Sequence, residues 1–435
     1  ASSAIKATFG LNSFALGVVV SIALIGSAIG AWFAGYLAER FGRRKVMLVA
    51  AALFMLSAFG QAFPLGIYDL CLWRLIGGAG IGVASVMAPM YIAEIAPAQL
   101  RGRMGSLQQF AIVIGIFATG LTNYLILNAA GGDSLNDWLF GIPAWRWMFL
   151  TMVIPALVYG FFAWRLPESP RYLVEVGKYD EAAAVLSQIY TDDVSARVED
   201  IWVSMQGEHK PRMSGLRGKR FGLLPLVWIG IILSSLQQFV GINAVFYYSN
   251  TIWEAVGFSQ DQAFQTSLIT TGVNVAFTVV AIALVDRVGR KPLLLVGSFG
   301  MVAMLGTLTY VFGTAPISSD GQPVLDSGSG IVAMLAFNIY VAFFAATWGP
   351  VIWVLLGEMF PNRIRAAALA VAAAAQWVAN FLVSTAFPPL AEISLGLAYS
   401  IFTIFALLSI PFVIRHVRET KGVELEDMAS LGRPL

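Results

Sequence analysis

Residues 236–250 read LQQFVGINAVFYYSN and lie within an apolar run, 221–253, that carries no charge. The stretch nevertheless holds Gln237, Gln238, Asn243, Tyr247 and Tyr248. Polar amides at bilayer depth must find partners, because lipid offers none. On an ideal helix, at about 100° per residue, these side chains spread over roughly 220°, too wide for one face. Gly241 is placed to break the helix, so that both pieces serve one cavity. Amides donate and accept, and phenols do either, so the set suits a neutral polyhydroxylated ligand; the plainer alternative is polar glue between packed helices.

The rest of the composition agrees with a membrane setting. The 435 residues are 58% hydrophobic and 12% charged, with a mean hydropathy of +0.75, well outside the range of soluble domains. A net charge of +2 makes no case for nucleic acid, and neither a basic tract nor a signal peptide precedes the first apolar run. The one cysteine, Cys71, excludes an internal disulfide. With only His209 and His416 besides, no metal cluster of the usual spacing can be written, and no cofactor is expected.

Charge-free runs long enough to cross a bilayer, about 20 residues each, recur at 13–38, 46–66, 71–93, 104–127, 146–166, 222–252, 263–285, 292–314, 330–357, 365–386 and 392–415. Barrel strands would be half as long and alternating, so these are helices. The odd-numbered joints carry the basic residues, among them Arg40, Arg43, Arg44 and Lys45, then Arg101 and Arg103, and later Arg287, Arg290 and Lys291. The even-numbered joints hold Asp133, Asp137, Glu254, Asp261 and Asp320. The basic joints therefore face the cytoplasm. This puts Ala1 outside, and a further helix is expected upstream of it. Arg74 points the same way: either it snorkels to the outer interface, or its acidic partner belongs to that helix. The polar segment 168–220 divides the spans and contains a short amphipathic helix at Tyr179–Leu186; it links two bundles and is too short for an enzyme domain. The expected organisation is a first bundle at 1–167, the linker at 168–220, a second bundle at 221–417 and a tail at 418–435.

The chain repeats itself across the linker. Glu39-Arg40-Phe41-Gly42-Arg43-Arg44 answers Asp286-Arg287-Val288-Gly289-Arg290-Lys291. Glu94, Pro97 and Leu100-Arg101-Gly102-Arg103 answer Glu358, Pro361 and Ile364-Arg365-Ala366, and Pro167-Glu168-Ser169-Pro170-Arg171 answers Glu419-Thr420-Lys421-Gly422 more loosely. Two similar halves with acid and base at the same corners are what a rocking two-bundle transporter requires. With Arg74-Leu75-Ile76-Gly77-Gly78, Gln237-Gln238, Gly241-Ile242-Asn243, Trp348-Gly349-Pro350 and Trp353, the chain resembles a sugar porter of the major facilitator superfamily from about Leu11 onward.

That resemblance implies an all-α polytopic fold of two six-helix bundles joined by a cytoplasmic helical linker. The family's first helix matches nothing here, so the spans are helices two to twelve, and this stretch alone is expected to be inactive. By resemblance, Gln109, Gln237, Gln238, Asn243, Tyr247, Asn274, Trp353, Gln376 and Trp377 line the sugar pocket. Gln376, Trp377 and Asn380 fall within about 100° on one helical face, where a ring can pack on a sugar while amides take its hydroxyls. Ile116 shares a face with Gln109; some pentose carriers have a second glutamine there, whereas glucose carriers resemble this chain, which favours a hexose. Glu94, Arg101, Arg165 and Glu168, with Arg290, Glu358, Arg365 and Glu419, resemble the family's cytoplasmic gate, although Arg418 stands where proline is usual before Glu419. Gly349-Pro350 is expected to break its helix between Trp348 and Trp353. In the proton-coupled branch an acid on the first helix pairs with the arginine matching Arg74.

The resemblance thus implies a monosaccharide transporter, for a hexose such as glucose, working by alternating access with proton symport. It acts as a monomer spanning the bacterial inner membrane, with sugar, proton and lipid as its partners, and is not an enzyme. The alternatives are an uncoupled facilitator, a polyol or inositol carrier, and a sugar-sensing receptor; the last is disfavoured by the tail of about twenty residues after the last span.

Overall fold

The structure, a computed structural model, describes residues 2–95, 101–190, 193–207, 216–218, 222–316, 324–360 and 364–420, without the side chains of 89, 93, 101–109, 204–207, 286, 357, 365–367 and 370. The first part of the chain forms α1 (Ser2–Phe9), α2 (Ser13–Phe41), α3 (Arg43–Ala62), α4 (Ile67–Ile95), α5 (Arg101–Ala129), α6 (Ala144–Leu150) and α7 (Val153–Arg165). Three short helices follow, α8 (Pro170–Glu175), α9 (Tyr179–Leu186) and α10 (Val194–Gly207). The second part forms α11 (Pro225–Phe239), α12 (Ile242–Tyr247), α13 (Ser249–Ala255), α14 (Gln260–Val288), α15 (Arg290–Gly313), α16 (Ser327–Ala346), α17 (Trp348–Met359), α18 (Arg365–Ile393) and α19 (Leu395–His416). Among the described residues, eleven helical stretches are long and apolar enough to cross a membrane. They match the eleven expected spans, and α9 coincides with the expected amphipathic helix.

The interruptions in the spans have local causes. Gly241 takes φ 89° and separates α11 from α12, as expected. The Val240 carbonyl at this break accepts a hydrogen bond from the Tyr340 hydroxyl at 2.8 Å. The break between α16 and α17 lies at Thr347 (φ −136°, ψ −86°), not between Trp348 and Trp353 as expected. Proline acts backwards: the ring of Pro350 excludes the carbonyl four residues earlier, and its missing N–H matters little in the first turn of the new helix. Conversely, α18 continues through Pro388 and Pro389 to Ile393, past its expected end at 386. The two prolines free the carbonyls of Ser384 and Thr385. The Tyr248 hydroxyl donates to Ser384 O at 2.8 Å. Gly17 lets α2 approach Thr385 O so closely that a Cβ would stand 2.6 Å away.

Contacts group the chain into two compact units, 22–109 with 149–212, and 1–21 with 110–148 and 213–435. This grouping differs from the division expected at the linker. In the larger unit, the Ser21 and Thr385 hydroxyls lie 2.7 Å apart, Gln260 Oε1 accepts from the Ser134 amide at 2.8 Å, and Phe264 packs with Ile126, Leu127 and Met148. Its main core runs through Leu305, Phe337, Tyr340, Trp348 and Phe402. In the smaller unit, α2 and α4 meet glycine to backbone: a Cβ on Gly26 or Gly30 would collide with the carbonyls of Leu75 and Ala79, and one on Gly78 or Gly82 with those of Ala23 and Ser27. Without a hydrophobic drive between helices in lipid, such close backbone approach is what holds them together.

Candidate functional site

The break at Gly241 sets Gln237 and Gln238 at the end of α11 and Asn243 at the start of α12. Gln237 is 2% exposed and Gln238 4%, so each amide needs partners inside the protein. Gln237 Nε2 donates to the carbonyls of Trp348 (2.9 Å) and Gly349 (3.2 Å), in the first turn of α17. Carbonyls only accept, so the orientation of this amide is fixed. Its Oε1 must then accept, and it does so from Gln376 Nε2 at 2.8 Å and, at a longer 3.4 Å, from Gln238 Nε2. Gln238 Oε1 in turn accepts from Asn243 Nδ2 at 2.5 Å. One hinge thereby orients four amides from three helices, and the oxygens left at the two ends are Gln376 Oε1 and Asn243 Oδ1. Gln376 Oε1 is buried and has no hydrogen-bond partner among the described residues. A relay ending in acceptors takes hydroxyl donors, which is the chemistry of a polyol.

The other expected pocket residues lie on α5, α12, α14, α17 and α18. Asn274 is buried on α14, 7% exposed, while Trp353 on α17 is 41% exposed and Trp377 on α18 is half-buried. Tyr247, at the end of α12, is 39% exposed. Asn380 accepts from the Ser384 hydroxyl at 3.1 Å. The side chain of Gln109 lies outside the described residues. Arg74 places Nη1 3.5 Å from Gln61 Oε1 on α3, and Gln61 Nε2 donates to Ser57 Oγ at 2.6 Å.

The charged corners repeat, contact for contact. Arg43 grips Glu94 through two nitrogens, Nη2 to Oε1 at 2.7 Å and Nε to Oε2 at 2.9 Å. Arg290 grips Glu358 in the same way, at 2.6 and 3.0 Å. Each arginine also donates from Nη1 to the carbonyl five residues before it, Ala38 and Val285. Each glutamate accepts a hydroxyl, Ser169 on Glu94 (2.5 Å) and Thr420 on Glu358 (2.6 Å). Glu168 takes the amides of Arg43 (2.8 Å) and Arg44 (3.3 Å), and Glu419 those of Arg290 (2.9 Å) and Lys291 (3.0 Å). Gly42 and Gly289 have no side chain to cap the helices that follow. A carboxylate from a distant segment therefore caps α3 and α15, where the helix dipole favours negative charge.

The gate expected by resemblance includes Arg165 and not Arg43. The Arg165 guanidinium lies over the rings of Phe161 and Trp164, at 5.3 and 5.8 Å. The signal for Arg43 was present, since the repeat aligns Gly42-Arg43 with Gly289-Arg290 and Ser169 with Thr420. The side chains of Arg101 and Arg365 lie outside the described residues.

Comparison with known proteins adds the family. The profile described as "Sugar (and other) transporter" matches residues 3–431. A glucose transport protein of Synechocystis sp. is 53% identical over 429 residues, covering 98% of this chain and 92% of that protein. The D-xylose-proton symporter of Escherichia coli is 40% identical, covering 96% and 86%. An inward-open structure of the E. coli xylose transporter XylE is similar with a TM-score of 0.82 at 37% identity, covering 99% of this chain and 94% of that one.

Proposed function

The chain belongs to the family of sugar (and other) transporters, and from that premise we propose that it carries a hexose, glucose first, across the bacterial inner membrane by alternating access in symport with protons. The observation that carries this reading is the amide relay fixed by the Trp348 and Gly349 carbonyls, whose free oxygens suit sugar hydroxyls. Tyr247, Asn274, Trp353 and Trp377 complete the proposed pocket with Gln109, the two tryptophans offering flat apolar faces to the ring. The substrate class is supported by the glucose transport protein of Synechocystis sp. and by XylE bound to 6-bromo-6-deoxy-D-glucose, at 37% identity and a TM-score of 0.78. Coupling is assigned to Arg74, with support from the proton symporters for xylose and arabinose. In this reading 1–167 and 221–417 are the moving bundles, 168–220 joins them, 418–435 is the tail, and one chain is the working unit. The clamps around Arg43 and Arg290, with Arg101, Arg165 and Arg365 nearby in sequence, act as the cytoplasmic gate.

The test is uptake of radiolabelled glucose into proteoliposomes with and without an inward proton gradient. Accumulation above the outside concentration, collapsed by a protonophore, is the expected result. Uptake that stops at equal concentrations whatever the gradient replaces symport by facilitated diffusion. Gln237→Ala removes the anchor of the relay and is expected to lower glucose kcat/KM by at least about a hundredfold, since a pocket built to hydrogen-bond a hydroxyl loses its partners together. Unchanged transport in a correctly inserted Gln237→Ala protein would mean that the pocket lies elsewhere.

A second expectation concerns selectivity. Ile116, on α5, is 38% exposed, and an added amide there supplies hydrogen bonds that a smaller sugar can use. Ile116→Gln is expected to raise the xylose-to-glucose ratio of kcat/KM by about three- to tenfold, the effect of one net hydrogen bond. Competition of xylose against labelled glucose reads it, and an unchanged ratio removes Ile116 from the pocket.

A further inference from the structure

Behind the hinge that orients the relay lies a second polar chain, facing away from the amides. Trp348 is 0% exposed, and its indole Nε1 donates to Leu294 O at 3.0 Å and to Ser298 Oγ at 3.1 Å, both on α15. Ser409, on α19, donates to Ala406 O at 2.6 Å, and its Oγ lies 2.7 Å from Ser298 Oγ. Ser298 and Ser409 are each 0% exposed, inside a region that is otherwise apolar. Next to them, Gly297 permits α15 to touch the hinge itself: a Cβ there would stand 2.8 Å from Thr347 Cβ and 2.9 Å from Trp348 Cδ1. Trp348 is thus held from both sides, by its indole on α15 and by its own carbonyl from Gln237.

We propose that the buried Ser298–Ser409 pair is a positioning element of the sugar site, holding the Trp348 indole and so fixing the hinge carbonyl on which Gln237 is oriented. The inference rests on the pocket reading given above. Buried hydroxyls between helices are costly unless they are paired, and here Ser298 bonds the side chain that continues into the relay while Ser409 pairs with Ser298 from α19. The backbone at Thr347 has left helical geometry, so the ladder of α16 does not run into α17, and α16 does not set where the first turn of α17, with its Trp348 carbonyl, sits. The indole anchor supplies that constraint. Leu294 O alone still accepts the indole N–H when Ser298 is removed, so the fold survives while the hinge gains freedom. A loose hinge weakens binding in every orientation of the pocket and leaves turnover at saturation in place.

The experiment is a double-mutant cycle on the purified transporter, reading KM for glucose, turnover at saturating glucose and the thermal unfolding midpoint. Ser298→Ala is expected to raise KM about three- to tenfold, the range of one net hydrogen bond, with turnover and the midpoint unchanged. Trp348→Phe deletes the indole N–H and keeps the carbonyl; it is expected to raise KM at least as much. Ser298→Ala added to Trp348→Phe then changes KM by less than about twofold, because the two act through one bond. Should Trp348→Phe fail to insert, the same non-additivity is read between Ser298→Ala and Ser409→Ala, which meet at one oxygen. An unchanged KM in Ser298→Ala, or additive effects in the cycle, overturns the inference. Gln237→Ala separates this from failure of the pocket reading: if it alone abolishes binding, the pocket stands and only the positioning role is lost.

Discussion

Gly78→Leu is expected to leave almost no folded transporter in the membrane. The glycines of α2 and α4 interlock, Gly26 and Gly30 against Leu75 and Ala79, Gly78 and Gly82 against Ala23 and Ser27. Every obstacle a new Cβ would meet here is backbone, which cannot swing aside as a side chain does. Overpacking of a core that can adjust costs about 1–3 kcal/mol. A leucine driven into a backbone carbonyl separates two helices along their length, and the cost exceeds about 4 kcal/mol, the range of the most disruptive substitutions. Gly35 is the control, because a Cβ there meets nothing within 4 Å. Gly35→Ala should fold as well as the parent, or slightly better, since alanine is favoured over glycine in a helix by about 1 kcal/mol. Size-exclusion profiles of a fluorescent fusion in mild detergent distinguish the two. A monodisperse Gly78→Leu protein with the parental melting point would show that this contact does not hold the two helices together.

Arg43→Ala is expected to cost about 3–5 kcal/mol, the penalty for removing one member of a buried ion pair. The side chains of Arg43 and Glu94 are 6% and 10% exposed, so among the described residues the carboxylate left behind keeps the Ser169 hydroxyl, with little water. Arg290→Ala breaks the matching pair, in which Glu358 is 27% exposed. Water can reach that carboxylate, and the loss should be smaller. Replacing Arg43 and Glu94 together by leucine removes both charges and should restore most of the stability, because desolvation then no longer opposes folding. Thermal unfolding of the four proteins in one detergent checks the order. Equal losses for Arg43→Ala and Arg290→Ala would mean that burial does not govern the clamps.

Local chemistry accounts for what could be read from the chain. The spans follow from length and charge, and the break at Gly241 from a residue without a Cβ in a run whose polar side chains do not fit one face. The position of the second break could not be read as directly. Pro350 marked it, but the strain falls upstream on Thr347, and only the course of the backbone shows which peptide yields. The passage of α18 through Pro388 and Pro389 depends on Tyr248, more than a hundred residues away, taking a carbonyl the prolines leave free. Long-range partners of that kind leave no periodic trace. The same holds for the relay: four amides were legible as candidates, but their orientation is decided by two carbonyls of α17. Arg43 was a different case, since the repeat already equated it with Arg290.

The two corners can also be read against each other. The corners stand nearly 250 positions apart in the chain, yet six contacts at each are the same, down to a hydroxyl from serine in one copy and from threonine in the other. What stands in duplicate is what both halves need in common, and each corner serves as the other's internal reference.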